Sequence, residues 1–245
     1  MSAAESALPA LGFRFIGVTT SGEGRRNHRV WLDTHSGIPL ELHVTLTGAG
    51  AEPSEVWSEL SPATKRMRVG AHEVEVLGDA ALAMHIVLNV AHHGRANPKT
   101  MADLERALTF IPRPVWSEAT RLAERMKASA AFAAGLRLLA PGALFARELG
   151  IDAPPTIEIA LRAESAPPLA QGLVWLRGLP SNRARLMFAL RALFPPPEFM
   201  RFWSPRARSG RLGLVGAYLG RPLWIVARFP RAFIAWRQAR KVAAR

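Results

Sequence analysis

The chain has 245 residues, 49% of them hydrophobic, which allows one large domain or two small ones and excludes a disordered chain. The absence of cysteine excludes a disulfide framework, a zinc ribbon and a thiol nucleophile. The formal charge of +13 lies in the C-terminal region, because residues 1–155 hold 16 Lys and Arg against 16 Asp and Glu, while residues 156–245 hold 16 against 3.

The first residues and the longest apolar stretch both bear on location. Residues 1–9 lack a basic start and a long apolar run, so no secretory signal is predicted and the cytoplasm is the expected compartment. The apolar stretch 212–229 is interrupted by Arg221, Pro222 and Arg228, and it falls short of the roughly 20 apolar residues that a membrane-spanning helix needs. A peripheral position at a membrane stays open.

The first predicted elements are strands. Residues 12–18 and 28–34 are apolar-rich runs separated by a Ser-Gly-Glu-Gly turn cluster, a pattern typical of a β-hairpin. A Gly-Ile-Pro turn then leads into a third predicted strand over 40–46, and a further strand is predicted over 72–77. We interpret residues 1–77 as a small, mostly antiparallel sheet.

Residues 78–152 are predicted to form a helical region packed on that sheet. Apolar residues recur there at helical spacing, with Asp79 and Thr100 as the predicted N-caps of the first two helices. Further helices are predicted over 114–128 and 130–149, the second interrupted at Pro141-Gly142.

Residues 153–245 are predicted to form a basic, mainly helical region. Its first part lies between two proline pairs, at 154–155 and 167–168, and is predicted to be a linker or an extended excursion. An amphipathic helix is predicted over 182–194 with three leucines inside, Leu186, Leu190 and Leu193, and the C-terminus is predicted as a helical hairpin that docks its aromatic residues. The predicted fold class is α+β, with a mainly helical C-terminal half.

The third strand carries the most specific candidate site. Side chains alternate along a strand, so Glu41, His43 and Thr45 share one face. A carboxylate beside an imidazole can serve a divalent cation or a proton transfer. Asp33, on the preceding strand, joins the pair if the strand register allows it. On an exposed face the same carboxylate would be ordinary.

A histidine cluster on the first helix is the second candidate. His85 and His92 are seven residues apart, which places them on one face but too far apart for a zinc site of the i, i+4 type. His92 lies near the helix C-terminus and can bond free carbonyls there, while Asp103 can orient His92 or His93 across the next turn. The alternative is a polar contact that ties two helices together.

Several short motifs occur in a fixed order along the chain: Leu11-Gly12-Phe13, Leu40-Glu41-Leu42-His43, Trp57, residues 74–77, Ala91-His92-His93, Asp103-Leu104, Trp116, and residues 195–200 and 216–219. Together they resemble the uncharacterised nucleotidyltransferase-like proteins of bacteria. The resemblance covers most of the chain.

The resemblance implies a fold in which a Gly-Ser loop, an Asp-x-Asp pair and a third carboxylate hold magnesium for attack on a nucleoside triphosphate. Glu41 matches the third carboxylate. The chain begins about where the Asp-x-Asp strand would have ended, so the expected protein is an inactive or incomplete transferase for a nucleotide and an unknown acceptor. Three explanations stay open: a misassigned start, a family member that binds without catalysis, and a split enzyme whose partner subunit supplies the carboxylates.

A second hypothesis requires no catalysis. The basic region would then grip nucleic acid or an anionic membrane surface, with Arg228, Arg231 and Arg237 contacting phosphates and the neighbouring aromatic residues stacking. The alternative explanation is a solvated basic face in a chain that favours arginine.

Overall fold

The computed structural model describes residues 2–20 and 26–244, which divide into two compact units. Unit 1 runs to Ser165, and unit 2 starts at Ala166. Among the described residues only unit 1 contains strands. The predicted α+β class with a mainly helical C-terminal half is confirmed.

Unit 1 opens with helix α1 (Ser2–Ala7) and a three-stranded antiparallel sheet in which β1 (Phe13–Thr20), β2 (Arg26–Asp33) and β3 (Pro39–His43) are neighbours in chain order. Trp31 lies opposite both Phe15 and Leu40 in the register, and its buried ring packs edge-on against Phe15 with centroids 5.3 Å apart. The predicted hairpin strands are confirmed, while their turn cluster falls outside the described residues. The third strand ends at His43, three residues earlier than predicted.

Helix α2 (Pro53–Leu60) leads into a separate sheet of two antiparallel strands, β4 (Thr64–Val69) and β5 (His72–Leu77). The strands of unit 1 therefore form two sheets rather than one. Sequence reasoning missed β4 because all six of its residues are exposed, and a strand with no buried face needs no alternation of apolar and polar side chains.

The rest of unit 1 is a helical assembly around α3 (Asp79–His93). Seven of the fifteen residues of α3 are buried, and it packs against α4, α5, α6 and α8. The helices that follow α3 are α4 (Pro98–Phe110), α5 (Arg113–Arg125), α6 (Ser129–Leu136), α7 (Ala140–Glu148) and α8 (Ile157–Ala163).

Two of the predicted caps are wrong. The N-cap of α3 is Gly78, and Asp79 instead makes an ion pair with Lys65 of β4 from the first turn of the helix. The N-cap of α4 is Asn97, whose side-chain oxygen accepts from the backbone N–H groups of Lys99 and Thr100. Thr100 is buried in the first turn of the helix, and the capping role predicted for it belongs to Asn97.

Two predicted breaks are also placed differently. Pro141 and Gly142 lie in the first turn of α7, where proline is tolerated, and the chain breaks before them at residues 137–139. The predicted linker between the proline pairs contains α8, which begins at a Thr156 cap and buries Ala160 and Leu161.

Unit 2 consists of α9 (Pro168–Gly178), α10 (Asn182–Leu193), α11 (Pro197–Trp203) and α12 (Gly210–Ala243). The predicted helix over 182–194 is confirmed as α10, but no residue of α10 is buried, and Leu186 and Leu190 are exposed. The predicted C-terminal hairpin is wrong, because α12 is one helix of 34 residues that contains Pro222 and Pro230. In the part of the chain that the structure describes, no helix is both long and apolar enough to cross a membrane.

Gly135 tests the packing of α6 on α3. A Cβ added at Gly135 would lie 2.3 Å from the carbonyl oxygen of Val87, so Gly135→Ala must push the two helices apart. Although alanine favours a helix, we expect the free energy of unfolding to fall by about 2 kcal/mol or more, because overpacking a core outweighs helix propensity. Urea unfolding followed by circular dichroism measures the change.

The control is Gly172→Ala in α9, where an added Cβ meets no atom within 4 Å. This variant should be neutral or more stable by up to about 1 kcal/mol. Equal stability of the two variants would contradict the close approach of α6 to α3.

Candidate functional site

Glu41 and His43 lie on one face of β3, as the alternation of side chains predicts. Both side chains are exposed, and the Oε2 atom of Glu41 lies 3.4 Å from Nε2 of His43. The register places Glu41 opposite Val30, at the centre of β2. The pair therefore lies on a solvent-exposed face of the sheet.

Asp33 does not lie beside this pair. It is three residues beyond Val30 on β2, so its side chain leaves the opposite face of the sheet. Its carboxylate accepts hydrogen bonds from the Ser36 hydroxyl and from the backbone N–H of His35, 2.9 Å away. These bonds, that of Ser36 first, lower the pKa of Asp33, and they assign it to the turn between β2 and β3.

The pKa of His85 on α3 is affected by His43 of strand β3. Burial lowers the pKa of His85, and the charge of His43 lowers it further. The Nδ1 atom of His85 is buried without a hydrogen-bond partner among the described residues. Burial and the charge of His43 therefore both favour the neutral form of His85.

A pocket of about 400 Å³ opens where the loop after β3 meets α3, α6 and α8. The loop contributes residues 45–50, and the polar side chains of the wall come from both the loop and the helices. These side chains are Thr45, Thr47, His92, Lys127, Thr156, Glu158 and Arg162. Hydroxyl, cationic and imidazole groups thus share one cavity with an apolar floor.

Arg162 of α8 links His92 to Glu158 at this pocket. Its Nη1 atom lies 2.6 Å from Nδ1 of His92, and its Nη2 donates to Oε1 of Glu158 at 2.8 Å. Arginine can only donate, so Nδ1 of His92 accepts and the neutral ring carries its proton on Nε2. The side chains of Arg162 and Glu158 are 16% and 18% exposed, which makes this ion pair more protected than those on the surface of unit 1.

The loop that forms one wall of the pocket is fixed to the α5–α6 junction. The backbone N–H groups of Gly50 and Ala51 both donate to the carbonyl of Met126. A Cβ at Gly50 would lie 2.9 Å from the carbonyl oxygen of Lys127, and Lys127 itself has a left-handed backbone with φ of 53°. A non-glycine residue in that region stores strain that neighbouring contacts must offset.

The comparisons with known proteins give one match. The model of an uncharacterised nucleotidyltransferase family matches residues 1–141, which is more than half of the chain. The chain belongs to this family. No curated protein and no solved structure matches the chain. The match ends within α7, so Glu158 and Arg162 of the pocket lie beyond it.

The described residues do not make the two-magnesium site that the family resemblance implies. No group of three or more His, Asp or Glu side chains in residues 2–20 and 26–244 converges closely enough to hold a metal ion. Glu41 and His43 offer one carboxylate and one imidazole, and Asp33 is on the other face. Two-metal transfer needs more carboxylates than this face supplies.

The prediction that Asp103 orients His92 or His93 stays a prediction. Asp103 is half-buried on α4, and the contact between His92 and Arg162 comes instead from the segment predicted as a linker. Only the spacing of Glu158 and Arg162, four residues apart, hinted at an ion pair there.

The three arginines predicted to bind anions all lie on α12 in unit 2. Arg228, Arg231 and Arg237 are exposed, and Arg228 stacks on Trp224 with its guanidinium 4.5 Å from the ring centre.

The pKa of His85 predicts a pH dependence of stability. Because this pKa is lower in the folded chain than its ordinary value of 6.5, the unfolded chain binds a proton more readily, and His85 must lower stability as the pH falls below 6.5. The parent chain should lose unfolding free energy between pH 7.5 and pH 5.5, the pH range in which histidine takes up a proton. We expect this loss to be smaller in His85→Gln. Urea titrations at the two pH values measure it, and an unchanged loss would assign the effect to another group.

Arg162 is expected to stabilise unit 1 more than an exposed arginine does. Arg162→Met leaves Glu158 without the charge that it faces, and we expect a loss of about 1–3 kcal/mol. Arg95→Met is the matched control, because Arg95 pairs with Glu164 near the same end of α8 but both side chains are more than half exposed. Its cost should stay below about 1 kcal/mol. Equal losses of unfolding free energy in the two variants, measured by urea unfolding, would contradict the larger contribution of Arg162.

Proposed function

We propose that this chain supplies one part of a nucleotidyl-transfer site and does not complete that site with its described residues. Glu41 is the metal-side carboxylate, His43 is its neighbour, and the remaining carboxylates come from a partner subunit or from a further segment of the natural protein. The observation that carries the proposal is the solvent-exposed Glu41–His43 pair on a sheet of a nucleotidyltransferase-family protein, with Asp33 turned to the other face.

The position of β3 supports a contribution from outside. β3 is an outer strand of its sheet, so its second edge faces no strand among the described residues. A strand added along that edge would carry side chains about 5 Å from those of Glu41 and His43. At that separation, carboxylates from two strands can contact one magnesium ion.

We assign the pocket to the substrate. Lys127 is its most accessible cation, because its side chain is 68% exposed and its nearest carboxylate, Glu55, is 3.9 Å away. Arg162 is already paired with Glu158 and therefore shapes the wall. A lysine beside hydroxyl groups suits the phosphate of a nucleotide or of a phosphorylated acceptor.

Cation binding tests the proposal directly. A single carboxylate with one imidazole should bind Mn²⁺, a spectroscopic substitute for Mg²⁺, with a dissociation constant of about a millimolar or weaker. Glu41→Gln should abolish that binding, whereas the matched control Asp33→Asn should retain it. Electron paramagnetic resonance of free Mn²⁺ measures both affinities.

The corresponding activity assay uses the chain alone with Mg²⁺ and each labelled nucleoside triphosphate. We expect no transfer above the level of Glu41→Gln. Tight Mn²⁺ binding that survives in Glu41→Gln would refute the role of Glu41. Mg²⁺-dependent transfer by the chain alone that is lost in Glu41→Gln would support Glu41 as a metal ligand. It would refute the proposal that the site is incomplete.

A further inference from the structure

One face of α12 is apolar and exposed along most of the helix. Its residues follow the helical repeat, and we define them as the outer face of α12: Leu212, Val215, Leu219, Leu223, Val226 and Phe233. Leu212, Leu219 and Leu223 are 88%, 71% and 73% exposed. At 1.5 Å per residue the face is about 32 Å long.

The opposite side of α12 explains why this face is outward. Ala217, Arg221, Ala232, Trp236 and Ala239 are the buried residues of the helix, and they lie out of phase with the outer face. Arg221 is fixed there, because its Nε donates to the carbonyl of Ala192 at 2.7 Å and its guanidinium stacks on Trp203. The helix thus has one face in the core of unit 2 and one apolar face that is exposed among the described residues.

The charge of unit 2 identifies the kind of partner. Residues 166–245 hold 15 Lys and Arg and a single acidic residue, Glu198. Arg228 follows Leu219 by nine residues, which places it half a turn away on the opposite side of the helix, whereas Arg211 and Arg231 flank the outer face. Further cations lie at the C-terminal end of the face, at Arg237, Arg240 and Lys241.

We propose that unit 2 binds an anionic lipid surface by inserting the outer face of α12 among the acyl chains. The flanking arginines then contact lipid phosphates, since long basic side chains extend from an inserted helix to the headgroups. The apolar side chains of α12 would contact the hydrocarbon of the bilayer, and the basic side chains would contact its negatively charged headgroup layer.

A second copy of the chain and a nucleic acid each match only part of this surface. Two copies of unit 2 would bring 15 cations each against a single acid, which opposes their association. Nucleic acid matches the charge but gives the leucines nothing apolar to contact. The two tryptophans of α12 are already engaged, because Arg228 covers Trp224, and Trp236 is buried with Arg240 over its ring.

Vesicle flotation of the full chain is the test. We expect binding to vesicles of equal parts phosphatidylcholine and phosphatidylglycerol, and none to phosphatidylcholine alone. Leu219→Gln with Leu223→Gln should weaken binding by about tenfold per residue. Leu11→Gln with Leu144→Gln is the matched control, since these leucines of unit 1 are 67% and 59% exposed, and it should leave binding unchanged.

The contribution of charge is tested with Arg211→Gln, Arg231→Gln and Arg237→Gln together. A basic residue near an anionic surface contributes about a factor of five, so this variant should bind about a hundredfold more weakly. All of these residues are exposed, so circular dichroism of every variant should match that of the parent chain.

Insertion itself can be read from a single label, because the chain contains no cysteine. An environment-sensitive fluorophore on Leu219→Cys should shift to the blue with anionic vesicles, and the same fluorophore on Leu144→Cys should not. This readout is independent of how the glutamine variants fold.

Three results would overturn the proposal. Failure of the parent chain to bind anionic vesicles is the first. The second is binding that depends on the arginines but not on Leu219 and Leu223, with equal affinity for an oligonucleotide, which would assign the surface to nucleic acid. The third is a dimer in sedimentation that Leu219→Gln with Leu223→Gln dissociates, which would assign the outer face to a second copy.

Discussion

The pocket of unit 1 depends on backbone segments that approach α3 more closely than a side chain would allow. A Cβ at Gly135 of α6 would meet the Val87 carbonyl, and a Cβ at Gly94 would lie 2.2 Å from the carbonyl of Arg162 at the end of α8. These two contacts fix α6 and α8 against α3, and both helices supply walls of the pocket. Glycine at position 94 is therefore a condition for bringing Arg162 within hydrogen-bonding distance of His92, and glycine at position 135 is a condition for the close approach of α6.

The elements with a strong local signal could be predicted from sequence. The two strands of the first hairpin and the helix α10 have clear periodicity or turn chemistry, and they were predicted close to their observed bounds. Capping was less predictable, because Asn97 and Thr100 are both plausible caps in isolation and only the packing of Thr100 decides between them. α8 was missed because two proline pairs surround a helix of seven residues, and its stability comes from packing on α3.

The candidate site shows the same division. Alternation along β3 was enough to place Glu41 and His43 together, since their relation is local. The position of Asp33 depends on the register between two strands and on Ser36, and neither is fixed by the strand pattern alone. The Arg162–His92 contact joins residues 70 positions apart, so no local pattern could reveal it.

Unit 2 shows why the pattern of apolar residues did not predict which of them are buried. α12 is apolar on two sides, and the sequence pattern suggested a hairpin that would bury both. Pro222 and Pro230 could have marked the turn, yet they lie within one continuous helix. One side is then used by Ala217, Arg221 and Trp236, and a helix of 34 residues has no second segment of its own to cover the other side. An apolar face this long is costly to leave in water, and this cost is the physical reason behind the proposal that unit 2 binds a lipid surface.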